Sequence, residues 1–376
     1  MTPILQFGTS RFLQAHVDLF ISEALAAGTA LGPVTVVQTT DSPQSANRIA
    51  AFNQPGGFPV RIRGLQDGAV VDRVQIVNSV RRGLSAHRDW AELRELAAGP
   101  VQVIVSNTGD RGYVLSEEDQ RGLLGGDAVP RSFPAKLLVL LHGRYRRGGA
   151  PVTLLPCELL ASNGTVLRDC VVQLARGWEL DEAFVGWLAG ECVWVNSLVD
   201  RIVSEAIDPV GAVAEPYALW AIEAQAKMQL PCHHGQIVVT DKLERYERRK
   251  LFLLNLGHSF LAECWLRERR PEEETVLQAL SDPCLRAKLE VVWEEEVLPV
   301  LRALGEEEAS RSYLTQVRER FGNPYLAHRL ADIAQNHEDK KVRRFQPVVA
   351  LAHELGLDIA QPRLRTALGM VAQEFR

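Results

Sequence analysis

The stretch Ile4-Leu5-Gln6-Phe7-Gly8-Thr9-Ser10-Arg11-Phe12-Leu13-Gln14-Ala15-His16 decides the reading of the fold. A short, mostly apolar run stops at a glycine and the chain then enters helical spacing, as a buried strand does where it leaves a parallel sheet for a helix. That turn aims free backbone N–H groups and the positive helix end at a pyrophosphate, which makes Gly8, Thr9, Ser10, Arg11 and Phe12 candidate nucleotide contacts. The G-x-G-x-x-G fingerprint is incomplete, because Ser10 and Leu13 stand at its second and third glycine positions. An ordinary strand-to-helix turn is the alternative.

Outward from this turn, β-branched runs at 34–38, 101–106, 152–155 and 192–195 alternate with helical candidates at 12–26, 43–52, 133–147 and 167–177. Alternation of this kind predicts an α/β domain, a Rossmann-type doubly wound sheet over 1–195. Past residue 196 strand-like runs almost vanish apart from 236–239. Amphipathic segments such as 246–267 and 283–304 follow, predicting a mostly α-helical C-terminal domain over 196–376. A length of 376 residues suits two domains.

The 42 basic against 47 acidic residues give a net charge of −5, which leaves no global positive field for a nucleic acid. Six cysteines carry no Cys-x-x-Cys pair, so neither a disulfide scaffold nor a thiolate metal site is signalled and a reducing compartment is expected. The apolar run 137–141 falls far short of the roughly 20 residues that span a bilayer. No basic leader precedes Ile4, and a cytoplasmic protein with no membrane partner is expected.

The densest chemistry lies in Lys250-Leu251-Phe252-Leu253-Leu254-Asn255-Leu256-Gly257-His258-Ser259-Phe260. At about 100° per residue, Lys250, Asn255 and His258 share one face of an otherwise apolar helix. Unpartnered burial costs on the order of 1–3 kcal/mol per polar group, so such a face is expected to look into a cavity. A solvated lysine beside a hydrogen-bonded core histidine is the bland alternative. In a cavity, an apolar setting lowers a lysine toward the pKa of a general base, an amide donates to an oxygen gaining charge, and an imidazole orients hydroxyls. Base plus donors suit alcohol-to-carbonyl chemistry.

Taken in order, Phe7-Gly8-x-Ser10-x-Phe12-x-x-Ala15-His16, Ser106-Asn107-Thr108, Pro156-Cys157-Glu158-x4-Asn163-Gly164, Asn196-Ser197-Leu198-Val199-Asp200-Arg201-Ile202 and Lys250-x4-Asn255-x2-His258 resemble the polyol-specific long-chain dehydrogenases. That family includes mannitol dehydrogenases and the fructuronate and tagaturonate reductases. The segments Leu154-Leu155-Pro156-Cys157-Glu158-Leu159, His258-Ser259-Phe260-Leu261-Ala262 and Asn323-Pro324-Tyr325-Leu326-x-His328-Arg329-Leu330-x-Asp332-Ile333-Ala334-x-Asn336 look most like the tagaturonate branch.

The resemblance implies metal-independent hydride transfer between nicotinamide and a secondary alcohol or ketone of a sugar acid or polyol. It implies Lys250 as acid and base, Asn196 and Asn255 as polarisers of the reacting oxygen, and His258 as a ligand of a neighbouring hydroxyl. Ser10 stands where the family usually has glycine, and Gln14 where it commonly has arginine. A polyol dehydrogenase acting on neutral ketoses is the alternative within the family. A non-catalytic dinucleotide sensor is the alternative outside it, although a sensor has no use for the four polar residues.

Cofactor choice turns on the end of the second strand, Val36-Val37-Gln38-Thr39-Thr40-Asp41. Asp41 is the candidate ribose reader, with a place near a helix N-cap as the equal alternative. No Arg or Lys closely follows Gln38, so NAD is expected, with NADP not excluded. Ser106 and Asn107 follow a buried strand and are expected near the nicotinamide, a plain turn being the other reading.

In Lys340-Lys341-Val342-Arg343-Arg344, Lys340 and Arg344 lie one helical turn apart and are candidates to hold a substrate carboxylate; a solvated face is the alternative. The runs 272–274 and 306–308 are expected to be solvated helix starts. Cys232-His233-His234 is expected to be a loop and not a metal site.

Overall fold

A computed structural model describes residues 2–41, 43–109 and 112–370. Two compact units emerge. One comprises the chain up to Ile62, then Arg73–Ala214 and Ala218–Leu243; the other comprises Arg63–Asp72, Glu215–Tyr217 and the chain from Glu244 onward.

A six-stranded sheet organises the first unit. Its strands lie in the order Val80–Ser85, Val34–Gln38, Ile4–Phe7, Val103–Ser106, Thr153–Pro156 and Val193–Trp194, all parallel. In sequence terms this is 3-2-1-4-5-6, the order of a dinucleotide-binding doubly wound sheet. Ile4, Leu5, Phe7, Val34, Val103 and Leu155 are wholly buried, as both-sided cover by helices requires. Helices Phe133–Arg146 and Asn163–Gly177 start where Ser132 caps the first and Gly164 tucks under the chain in the second. A Cβ on Gly164 would stand 2.4 Å from the Val195 carbonyl oxygen, so only glycine fits there.

The first unit extends past the expected boundary at 195. Strands Ser197–Asp200, Leu219–Glu223 and Ile237–Thr240 form a three-stranded sheet that belongs to it, and its last segment ends at Leu243. The run at 236–239 marks the last of these, whereas Ser197–Asp200 and Leu219–Glu223 carry too few alternations to stand out in sequence. The edge strand Val80–Ser85 was hidden for another reason: its two arginines face solvent, as edge positions favour, so it lacks the apolar run of a central strand.

From Glu244 onward the second unit is mostly helical, as the sequence predicts. From Leu243 the chain runs helical to Glu268, and a second rod runs over 283–303. Both contain a π-helical turn, Lys250–Asn255 in one and Val292–Val297 in the other. Around them Phe252, Leu253, Leu261, Trp293, Leu298, Leu314 and Phe345 make one apolar core. Gly257 lets Trp293 and Phe321 approach, because a Cβ there would come within 2.7 Å of the indole. The acidic runs are less solvated than expected, since Glu274 is buried against Arg270 and Glu306 against Arg248.

Candidate active site

In the first unit the candidate residues gather where the strand order reverses, between Ile4–Phe7 and Val103–Ser106, which is where doubly wound sheets bind ligands. Gly8 has a φ of +116°, and a Cβ on it would lie 2.5 Å from the Asn107 carbonyl oxygen. Glycine is therefore required on two counts. Ser10 caps the following helix, its Oγ accepting from the Leu13 N–H at 3.3 Å, and it also reaches Asn107 Oδ1 at 3.5 Å. A hydroxyl thus replaces the missing glycine as an N-cap. Thr9 is buried, Phe12 stacks on His16, and the exposed Arg11 donates to the Ser204 carbonyl. Gln14 is turned inward, bonding the Thr9 carbonyl and the Gly211 N–H. Asp41 is exposed just beyond the end of Val34–Gln38.

Glu158 organises the neighbouring strand ends. The Ser106 and Tyr113 hydroxyls donate to one of its oxygens, and the Thr108 N–H and hydroxyl to the other, each at 3.0 Å. Asn107 donates to the Cys157 carbonyl at 2.8 Å. Asn163 donates to the carbonyls of Pro156, Glu158 and Ser197 and accepts from the N–H groups of Gly164 and Ser197. Asn196 accepts from the Thr165 N–H, while its amide nitrogen donates to Glu223 at 2.8 Å and to the Thr165 hydroxyl at 3.2 Å. Both amide hydrogens of Asn196 are therefore engaged inside its own unit. The motifs around 158, 163 and 196 bind the scaffold together, a task that spacing alone did not disclose.

Deeper in this unit Asp18 is fully buried, and burial raises its pKa from 3.8 to about 7, offset in part by the Gln6 amide at 3.3 Å. His234 pairs with Glu23 at 2.6 Å, so the Cys232-His233-His234 loop is held by a carboxylate. Among the described residues no group of three His, Cys, Asp or Glu side chains could hold a metal ion.

In the second unit Lys250 and Asn255 open and close the π turn. The helical spacing predicts Lys250, Asn255 and His258 on one face, and the π turn tightens that placement for the first two. A π turn closes i to i+5, so it sets the fifth residue on almost above the first and draws lysine and amide closer on that face. Only Lys250, Leu251 and Asn255 keep exposure between 250 and 264; the other residues of that span are buried. The wide turn's carbonyls find outside donors: the Trp293 indole N–H reaches Leu253 O at 3.1 Å and Arg344 reaches Asn255 O at 3.2 Å. Tertiary donors thus hold a geometry that local propensity disfavours.

His258 follows on the same helix, buried against Phe321 and 4.3 Å from that ring. Burial, and then the neighbouring His328, Arg320, Arg344 and Lys340, hold its pKa well below 6.5, so it is neutral. Arg320 is balanced by a buried ion pair with Glu215 at 2.9 Å. Lys340 and Arg344 are not. Both lie on the helix His337–Arg344, one turn apart. Among the described residues Lys340 bonds only the Ile333 carbonyl, and Arg344 uses only Nη1, toward Asn255 O and Ser259 Oγ. Neither cation has a carboxylate partner among those residues, and burial lowers the pKa of both. Within the same basic run Lys341 is paired with Glu263 and Glu338 and Arg343 is exposed, so among the described residues the expected two are the partly buried cations of the run without an anion.

The strand order, the glycine crossing and the helical second unit define a dehydrogenase-type scaffold. The chain belongs to the mannitol dehydrogenase family: the model of the mannitol dehydrogenase Rossmann domain matches residues 2–233 and that of the C-terminal domain matches 242–372. It is 31% identical over 367 residues to an altronate oxidoreductase of Halalkalibacterium halodurans, covering 92% of this chain and 69% of that one. It is 33% identical to an altronate oxidoreductase of Yersinia enterocolitica, covering 99% and 80%. The fold matches a D-sorbitol dehydrogenase at 20% identity with a TM-score of 0.84, covering 98% of this chain and 79% of that one. It matches the mannitol 2-dehydrogenase of Pseudomonas fluorescens in complex with NAD and D-mannitol at 18% identity with a TM-score of 0.74, covering 98% and 78%. Among the described residues no helix is long and apolar enough to cross a membrane.

Proposed function

We propose that the chain is an NAD-dependent sugar-acid oxidoreductase that interconverts a secondary alcohol of a hexonate such as altronate with the corresponding ketone. Relatives named altronate oxidoreductase support the substrate class. Within this chain, one observation carries the acid over the neutral polyol: Lys340 and Arg344 stand beside His258 with hydrogen-bonding capacity unspent and no anion paired to them among the described residues. A carboxylate supplies what two half-buried cations lack.

The residues around Gly8 fit a dinucleotide. A glycine with positive φ leaves the space that a Cβ would fill, at a helix start on the switch point of the sheet. Gly8, Thr9, Ser10, Arg11 and Phe12 hold the pyrophosphate in this reading, Ser106 and Asn107 the nicotinamide side, and Asp41 the adenosine ribose, which favours NAD over NADP. Bound nicotinamide supplies or accepts the hydride. Lys250 takes the alcohol proton in oxidation and returns it in reduction. The Asn255 amide donates to the reacting oxygen, and neutral His258 binds a neighbouring hydroxyl. Asn196 contributes by fixing Glu223 and the Thr165 turn, since its own donors are taken. Cytoplasmic residence, supported by six free cysteines, belongs to the same proposal.

Nicotinamide absorbance with altronate, mannitol and sorbitol, each with NAD and NADP, tests the reading. Turnover of altronate with NAD is expected to exceed that of either polyol by tenfold or more. A better rate with mannitol would return the protein to the neutral-polyol branch, and tighter NADPH binding would reverse the cofactor preference.

A further inference from the structure

His328 belongs to the sequence motif 323–336. It lies in the second unit with its ring 4.8 Å from that of His258, edge to face. Among the described residues its Nδ1 is sealed from solvent with no hydrogen-bond partner, whereas Nε2 is not sealed and makes no side-chain bond. The backbone around it is fixed, because the His328 carbonyl accepts from Val276 N–H and the Leu330 N–H is held by Glu274 O. The ring is therefore anchored by its chain and presents one unspent nitrogen.

The same cation acts on both imidazoles. Lys340 opposes protonation of His258 and of His328, after burial in each case, with Asp332 pulling His328 the other way. A neutral imidazole places its proton on the nitrogen that has an acceptor, so an anion reaching Nε2 finds a donor there. Lys340 supplies a point charge and Arg344 a planar fork, and a third, uncharged donor fixes the orientation of a planar carboxylate.

We propose that His328 is a specificity residue whose Nε2–H donates to the acid end of the substrate, completing with Lys340 and Arg344 a three-donor carboxylate site. The proposal rests on the sugar-acid reading given above. Replacement then weakens acid substrates selectively and leaves the chemical step, which belongs to Lys250 and Asn255, largely intact.

The test is steady-state kinetics of the full chain with NADH, comparing a keto-uronate such as tagaturonate with fructose, in wild type, His328→Phe, His328→Gln and His328→Asn. For His328→Phe the keto-uronate KM is expected to rise by about tenfold or more, with kcat within about threefold and fructose KM unmoved. Glutamine places an amide nitrogen where Nε2 stood, and asparagine places one nearer Nδ1, so glutamine is expected to restore most of the loss and asparagine little of it. Equal KM changes for both substrates, or no change for the keto-uronate, overturns the proposal. If His328→Phe fails to fold, the glutamine–asparagine pair decides alone, and equal behaviour of the two overturns it. Wild type that prefers fructose overturns the sugar-acid reading itself, and with it this one, before any variant is made.

Discussion

The strand ends of the first unit and the basic helix of the second differ in one respect: how much hydrogen-bonding capacity is already spent. Glu158 accepts four bonds, Asn163 makes five and Asn196 three, all within the first unit. Lys340 makes one, Arg344 makes two through a single nitrogen, and the His328 side chain makes none among the described residues. A saturated network resists change and holds a scaffold; an unsaturated one at a partly buried position keeps donors available, which the proposed function assigns to a ligand.

The largest effect expected on this contrast is structural. Asn163→Ala leaves carbonyls and N–H groups of four residues short of partners and is expected to cost about 3 kcal/mol of stability, measured by urea unfolding. The KM ratio of acid to neutral substrate should stay put. An Asn163→Ala protein as stable as wild type would mean that saturation does not mark scaffold here.

Next comes the chemistry of the π turn. Lys250→Ala is expected to lose turnover by about 100-fold or more, about 2.7 kcal/mol of barrier, while NAD binding, followed by fluorescence titration, survives. Unchanged turnover removes Lys250 as acid and base.

Arg344→Ala sharpens the cationic side. The preference for a keto-uronate over fructose should fall by at least tenfold, about 1.4 kcal/mol. The ratio is the readout because Arg344 also braces Asn255 O, a loss shared by every substrate. A preference that survives intact assigns these cations to a solvated face.

The smallest effects are those of pH on stability, bounded by about 1.4 kcal/mol per pH unit for one proton. His258 has a folded pKa below 6.5, so its contribution is full above 6.5 and is lost as the pH falls below that value. Asp18 behaves oppositely. With its pKa raised from 3.8 to about 7, its contribution is full below 3.8 and is lost as the pH rises toward and through 7. Denaturation midpoints across pH 4–8 should show His258→Asn flattening the acid limb and Asp18→Asn the neutral one. Variants with curves parallel to wild type would show that neither group is held in its discordant state.

By itself the sequence determined the alternation of parallel strands and helices in the first unit and the candidate reactive side chains. Strands Ile4–Phe7 and Val34–Gln38 and helix Pro43–Phe52 stand where their residues predict, because a buried parallel strand needs an unbroken apolar run and a helix needs a matching period. Gly8, Lys250, Asn255, His258, Lys340 and Arg344 were legible for a similar reason: a glycine at a turn and polar groups at helical spacing are patterns of a few residues. Only the tertiary structure decided which polar residues are spent. Asn196 looks like a free amide until Thr165 and Glu223 close on it, and His328 looks like any loop histidine until its ring meets His258. Those partners lie tens of residues away. The π turn was beyond the sequence as well, since Lys250–Asn255 has an ordinary helix period and is widened under donors from Trp293 and Arg344, residues some forty and ninety positions further along.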